Sequence, residues 1–104
     1  MKTANVFAHG QLAGRLEEQD PGRRYRFIYQ TGYDGPPVSL TMTTTLSEYA
    51  FDRFPPFFEG LLPEGVMLEG LLKQNKIDKL DYFSQLMAVG GDLVGAVTVK
   101  AEIQ

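Results

Sequence analysis

The chain has 104 residues, a mass of 11.6 kDa and a formal net charge of −3. That length fits one domain spanning residues 1–104, and the acidic balance gives no electrostatic footprint for a phosphate backbone. The absence of cysteine excludes disulfides, thiolate metal sites and cysteine nucleophiles, and the single histidine, His9, excludes a multi-histidine centre.

In chain order, the first part is rich in turns and alternation. Val6 and Ala8, then Leu12 and Leu16, flank His9-Gly10-Gln11, a pattern that predicts two strands joined at the glycine. Gln19-Asp20-Pro21-Gly22 is a turn, since proline presets one dihedral and glycine accepts a positive one. Tyr25, Phe27 and Tyr29 alternate with Arg26, Ile28 and Gln30, which predicts a strand with one aromatic face. Residues 31–37 hold two glycines and two prolines and read as a loop. Val38, Leu40 and Met42 alternate with Ser39, Thr41 and Thr43, which predicts a further strand over 38–44.

Beyond residue 46 the pattern becomes helical. Phe54 to Pro63 predicts a short helix bracketed by prolines, and Glu64 to Asn75 a second helix carrying Val66, Met67, Leu68, Leu71 and Leu72. Asp78 or Asp81 is placed to cap a third helix with Leu80, Phe83, Leu86 and Met87 at helical spacing, ended by Gly90-Gly91. The apolar run Leu93, Val94, Ala96, Val97 and Val99 predicts a last strand that returns to the sheet. The expected fold class is α+β: a small, mainly antiparallel sheet packed with about three helices.

Catalytic chemistry is hard to find. His9 has no motif-level partner and reads as a turn residue. Asp78, Asp81 and Asp92 lack the spacing of a calcium loop and read as caps and turns, so no metal or cofactor is expected. Gly90-Gly91-Asp92-Leu93-Val94-Gly95 follows a helix and precedes a strand, the reverse of a phosphate loop. Arg23, Arg24 and Arg26 interleave with Tyr25 and Phe27, a pattern seen on nucleic-acid-binding strands. Glu17, Glu18 and Asp20 offset it, and cross-strand charge pairs explain it as well. The most informative stretch is Phe54 to Leu72. Its apolar residues occupy more than one helix stripe, so part of it is expected to remain at the surface as a protein interface, with Val66 and Met67 projecting outward. No apolar run approaches the roughly 18 residues of a membrane span, and the start lacks a secretory signal, so a cytoplasmic protein is expected.

Phe57-Phe58-Glu59-Gly60-Leu61-Leu62-Pro63-Glu64-Gly65 resembles the FF-x-N/G-LLP-E/D motif of the N-terminal subdomain of HipA-like serine/threonine kinases. Gly90 to Val97 resembles the "GRD-x-x-GAV" ending of that subdomain, and Val6 to Leu16 its first hairpin. The sequence departs from the pattern in three places. The strand at 38–45 lacks the usual proline, Gly91 replaces an arginine, and Leu68-Glu69 stand where an arginine usually follows the turn. The family's kinase core has no counterpart in these residues, so no enzymatic activity is expected. The length and motif content are similar to HipS, the free-standing antitoxin of split HipBST systems. The resemblance implies a partner, a HipT-like kinase toxin, that such a chain binds and neutralises. It further implies a ternary complex with a HipB-like DNA-binding protein, without direct contact to nucleic acid or membrane. From the apolar pattern and the turn entering the second helix, the expected partner-binding residues are Phe57, Phe58, Leu61, Pro63, Glu64, Gly65, Val66, Met67 and Leu68, with Pro63 to Leu68 expected to block the kinase's active site. Two alternatives stay open: an excised N-terminal subdomain of a longer kinase, and a non-inhibitory assembly factor for a repressor–toxin complex.

Overall fold

The computed structural model describes residues 1–93 and 95–102. Five strands form one antiparallel sheet in the order β4-β3-β2-β1-β5. They are β1 (Lys2–Ala8), β2 (Gln11–Asp20), β3 (Arg24–Tyr29), β4 (Glu48–Phe51) and β5 (Val97–Ala101). Three helices follow β4: α1 (Pro56–Glu59), α2 (Gly65–Asn75) and α3 (Tyr82–Val89). The architecture is the expected α+β class.

The turns form as their residues dictate. His9 and Gly10 both take positive φ, 51° and 80°, and join β1 to β2. Gly22, at φ 76°, lets the chain reverse between β2 and β3. Alternation then sorts the side chains. Ala4, Val6, Leu16, Tyr25, Phe27, Tyr29 and Val99 point to one face and join Phe54, Phe58, Phe83 and Leu86 in the core. The helices cover this face alone. Arg15, Glu17, Arg26 and Glu48 lie on the other, linked by ion pairs: Arg15 to Glu17 at 3.0 Å, and Arg26 to Glu48 at 2.6 Å. Of the cross-strand charge pairs expected between β2 and β3, one forms, Arg26 Nε to Glu17 at 4.0 Å; the Arg15 pair lies within β2 and the Glu48 pair joins β3 to β4.

Four sequence expectations need correction. Residues 38–44 do not form a strand of the sheet; only an isolated bridge joins Ser39 to Met42. The alternation there is real, but it serves a loop plugged into the core by Val38 and Met42. The Tyr29 hydroxyl pins that loop, accepting from the Val38 N–H at 3.0 Å and donating to the Met42 carbonyl. The fourth strand is instead Glu48–Phe51, in a stretch expected to run out as polar chain. Leu80 precedes α3 rather than joining its apolar stripe, and is 75% exposed. The last strand starts at Val97, later than Leu93; Val94, part of that expected run, lies outside the described residues.

Asp81 caps α3 as anticipated, its carboxylate accepting from the Ser84 N–H at 3.1 Å and from the Ser84 hydroxyl at 2.7 Å. Asp78 accepts from the Leu80 N–H at 2.8 Å and shapes the preceding turn. Gly90 closes α3 but not by a left-handed turn, since its φ is −56°. Its role is close approach. A Cβ there would stand 2.1 Å from the Val99 carbonyl oxygen, so only glycine lets the end of α3 rest on β5.

Candidate protein-docking site

The residues around the proline-glycine turn are built as two short helical pieces with a sharp break. Pro56 opens α1, where its missing N–H breaks no bond. After Glu59 the chain tightens, the Leu61 and Leu62 N–H groups donating three residues back to Phe58 and Glu59, each at 3.1 Å. Pro63 forbids a further turn, and Glu64 is extended. Gly65 then adopts φ 60° and starts α2. The far end of α2 stops at Lys76, which takes the left-handed conformation usually left to glycine, φ 53°.

α2 has an unusual burial state. It spans eleven residues and carries five apolar side chains, yet none of its residues is buried. Leu68, Leu71 and Leu72 are half-buried. Val66 and Met67 point away from the molecule, 83% and 76% exposed. A groove of about 660 Å³ runs beside this helix. Leu61, Pro63, Met67 and Leu71 form one side, and Val89, Asp92 and Leu93 the other. Gly70 has no atom within 4 Å of where its Cβ would stand, which keeps the groove wide. A smaller recess of about 310 Å³ lies around Leu62, Glu64, Leu68 and Tyr82, so Pro63 lines both.

The nine residues proposed from the sequence as partner contacts therefore divide. Glu64, Gly65, Val66 and Met67 are exposed; Leu61, Pro63 and Leu68 are half-buried in the walls of the recesses, and Phe57 is half-buried but lines neither. Phe58 is fully buried and packs against Phe27 with ring centroids 5.9 Å apart, so it supports the surface from beneath instead of forming it. Sequence reasoning missed Val89, Asp92 and Leu93, which sit more than twenty positions away. Only the packing of α3 against α2 brings them to the groove.

Other candidate groups stay apart. His9 is exposed in its hairpin turn, with its N–H donated to the Ala96 carbonyl at 2.8 Å. Among the described residues, no three His, Asp or Glu side chains gather as a metal-ligand set. No described helix is long and apolar enough to cross a membrane.

The fold and surface define an α+β module, one antiparallel sheet with helices on a single face and an uncovered apolar helix at its edge. The family model of the HipA N-terminal domain matches residues 4–100, and the chain belongs to that family. The chain is similar over its whole length to a solved N-terminal domain of HipA toxin, with a TM-score of 0.78 and 29% identity, covering 95% of that chain. It is 32% identical over 104 residues to an uncharacterized protein of Haemophilus influenzae, covering 96% of that protein. The family corresponds to the part of the HipA kinase outside its catalytic core, and places this chain among components related to HipA toxins.

Proposed function

We propose that this chain is a non-catalytic antitoxin that binds a HipA-like serine/threonine kinase toxin of the HipT type and neutralises it. The observation that carries this reading is α2, a helix rich in apolar side chains with none of them buried. Contiguous apolar surface of this kind marks a protein contact. Val66 and Met67 are the anchors, Glu64 the polar contact beside them, and the flanking groove receives side chains of the kinase. Large apolar anchors at the centre of a contact supply most of its binding energy. The Pro63–Gly65 turn projects the anchors as a wedge, which suits obstruction of a cleft. The Haemophilus relative, covered over 96% of its own length, is a chain of the same size, which supports a free-standing role for the domain.

The test is co-expression with the kinase encoded beside this gene, read as growth and as co-purification. The native chain restores growth and forms a stable complex. The Val66→Asp/Met67→Asp variant loses the complex and the rescue, while its urea midpoint stays at the native value because neither side chain is buried. Neutralisation by a folded double variant would overturn the reading. Binding without rescue would favour an assembly role beside a repressor, which a gel shift with operator DNA and repressor then measures.

A further inference from the structure

A second concavity lies on the open face of the sheet, where the β2–β3 turn meets β4. Its volume is about 620 Å³, and Gln19, Arg23, Arg24, Arg26, Ala50, Phe51 and Asp52 line it. Three of the chain's ten basic residues converge here. Their pairing is unequal. Arg26 is engaged, with Nη2 2.6 Å from Glu48 Oε2 and Nε 4.0 Å from Glu17 Oε1, although Nε is buried without a hydrogen-bond partner. Arg23 and Arg24 make no ion pair among the described residues. Asp20 stands opposite Arg24 in the strand register without pairing to it, and Asp52 is the acidic residue in the lining.

The frame that carries these arginines is tied to the core. The Tyr25 hydroxyl accepts from the Gly22 N–H at 2.8 Å and donates to the buried Glu18 carboxylate at 2.9 Å. The Arg23 N–H donates to the Asp20 carbonyl at 2.9 Å. The turn that projects Arg23 is thus held in place before any ligand arrives, which lowers the ordering cost of binding.

We propose that this recess is an anion-binding site that takes a phosphomonoester carried on a protein segment. Guanidinium groups match phosphate oxygens in a planar, bidentate way that a lysine ammonium cannot. Two unpaired guanidinium groups supply the charge, and Ala50, opposite Arg26 in the β3–β4 register, leaves room beside the phosphate for the peptide that carries it. An extended nucleic-acid backbone fits less well, because it would run past Asp20, Glu48 and Asp52 on a chain of net charge −3. The site is separate from α2, and its test needs no kinase.

The experiment is heteronuclear NMR on the 104-residue chain, following the arginine Nε–Hε and backbone amide signals. The probes are a phosphothreonine peptide, its unphosphorylated form, inorganic phosphate and a short single-stranded oligonucleotide. The phosphopeptide shifts the Arg23 and Arg24 signals saturably, inorganic phosphate does so more weakly, and the unphosphorylated peptide does not. Arg23→Gln and Arg24→Gln each weaken phosphopeptide binding about tenfold or more. Lys100→Gln, a distant cation on the same sheet face, leaves it unchanged. Backbone spectra confirm that the variants stay folded. The proposal is overturned by an absence of saturable shifts, by equal binding to folded Arg24→Gln, or by tighter binding of the oligonucleotide than of the phosphopeptide.

Discussion

Tyr25 links a turn, a buried acid and the core with one hydroxyl. Burial pushes its phenol up to about 12, with the Gly22 N–H opposing and the Glu18 carboxylate adding to the rise. An unfolded tyrosine ionises near pH 10. Between about pH 10 and 12 the unfolded chain therefore loses this proton first, and stability falls as pH rises; below that window the contribution is whole. Tyr29 shifts in the same direction, also through burial. Urea unfolding at steps through this window should show the decline, and Tyr25→Phe should make it shallower. At neutral pH the same variant should lose about 1–3 kcal/mol, because Glu18 keeps its buried carboxylate without that donor. The sequence shows the aromatic alternation of Tyr25, Phe27 and Tyr29 plainly. It does not show that both tyrosine hydroxyls pin a turn or loop through backbone groups, because the positions of those groups depend on the fold.

At the scale of elements, α2 is the loosest part. It has a left-handed lysine at one end, no side-chain cap at the other, and a glycine in its middle. Gly70 meets nothing within 4 Å, so Gly70→Ala adds helix propensity without a clash and should stabilise α2 by about 0.5–1 kcal/mol. Slower amide exchange confined to α2 would register the gain. The helices were readable from their punctuation: Pro56, Pro63, Gly65 and Asp81 each act as their chemistry demands. β4 was not. Four residues, Glu-Tyr-Ala-Phe, carry too little periodicity to stand out, whereas the longer alternation at 38–44 imitates a strand and belongs to a plugged loop. That error also hid the arginine recess, since Ala50, Phe51 and Asp52 complete it. In the docking surface, the exposure of Val66 and Met67 follows from their position just after a glycine turn. The adjacent rings of Phe57 and Phe58 give no such cue, and only packing shows which one faces inward.

Across the whole molecule, protection should follow burial. The central strands β1, β2 and β3 hold most of the sheet's paired groups and one face of the core, so their amides should exchange slowest. Those of α2 should exchange fastest among the regular elements, with β4 and β5 between. Native-state hydrogen exchange measures this order directly, and an α2 as protected as β2 would contradict the picture of a loosely held helix. The core lies wholly between the sheet and the helices, while the other face is kept soluble by charge pairs and by Lys100, whose ammonium lies 5.8 Å from the Phe7 ring centre. Composition alone could not assign which face was which.

The position of β5 has a consequence for how the chain is made. It pairs with β1, Ala101 opposite Ala4 and Val99 opposite Val6, so β1 leaves the ribosome well before its partner and waits for it through the rest of the sheet and all three helices. Until β5 emerges, Val6 and Ala8 lie on an open edge, and Gly90 has no strand to rest on. The sheet is completed by a late, long-range closure, the slow kind of step in folding. A translation product cut short before Val97 would expose an unfinished edge, which marks it for degradation or for capture by chaperones.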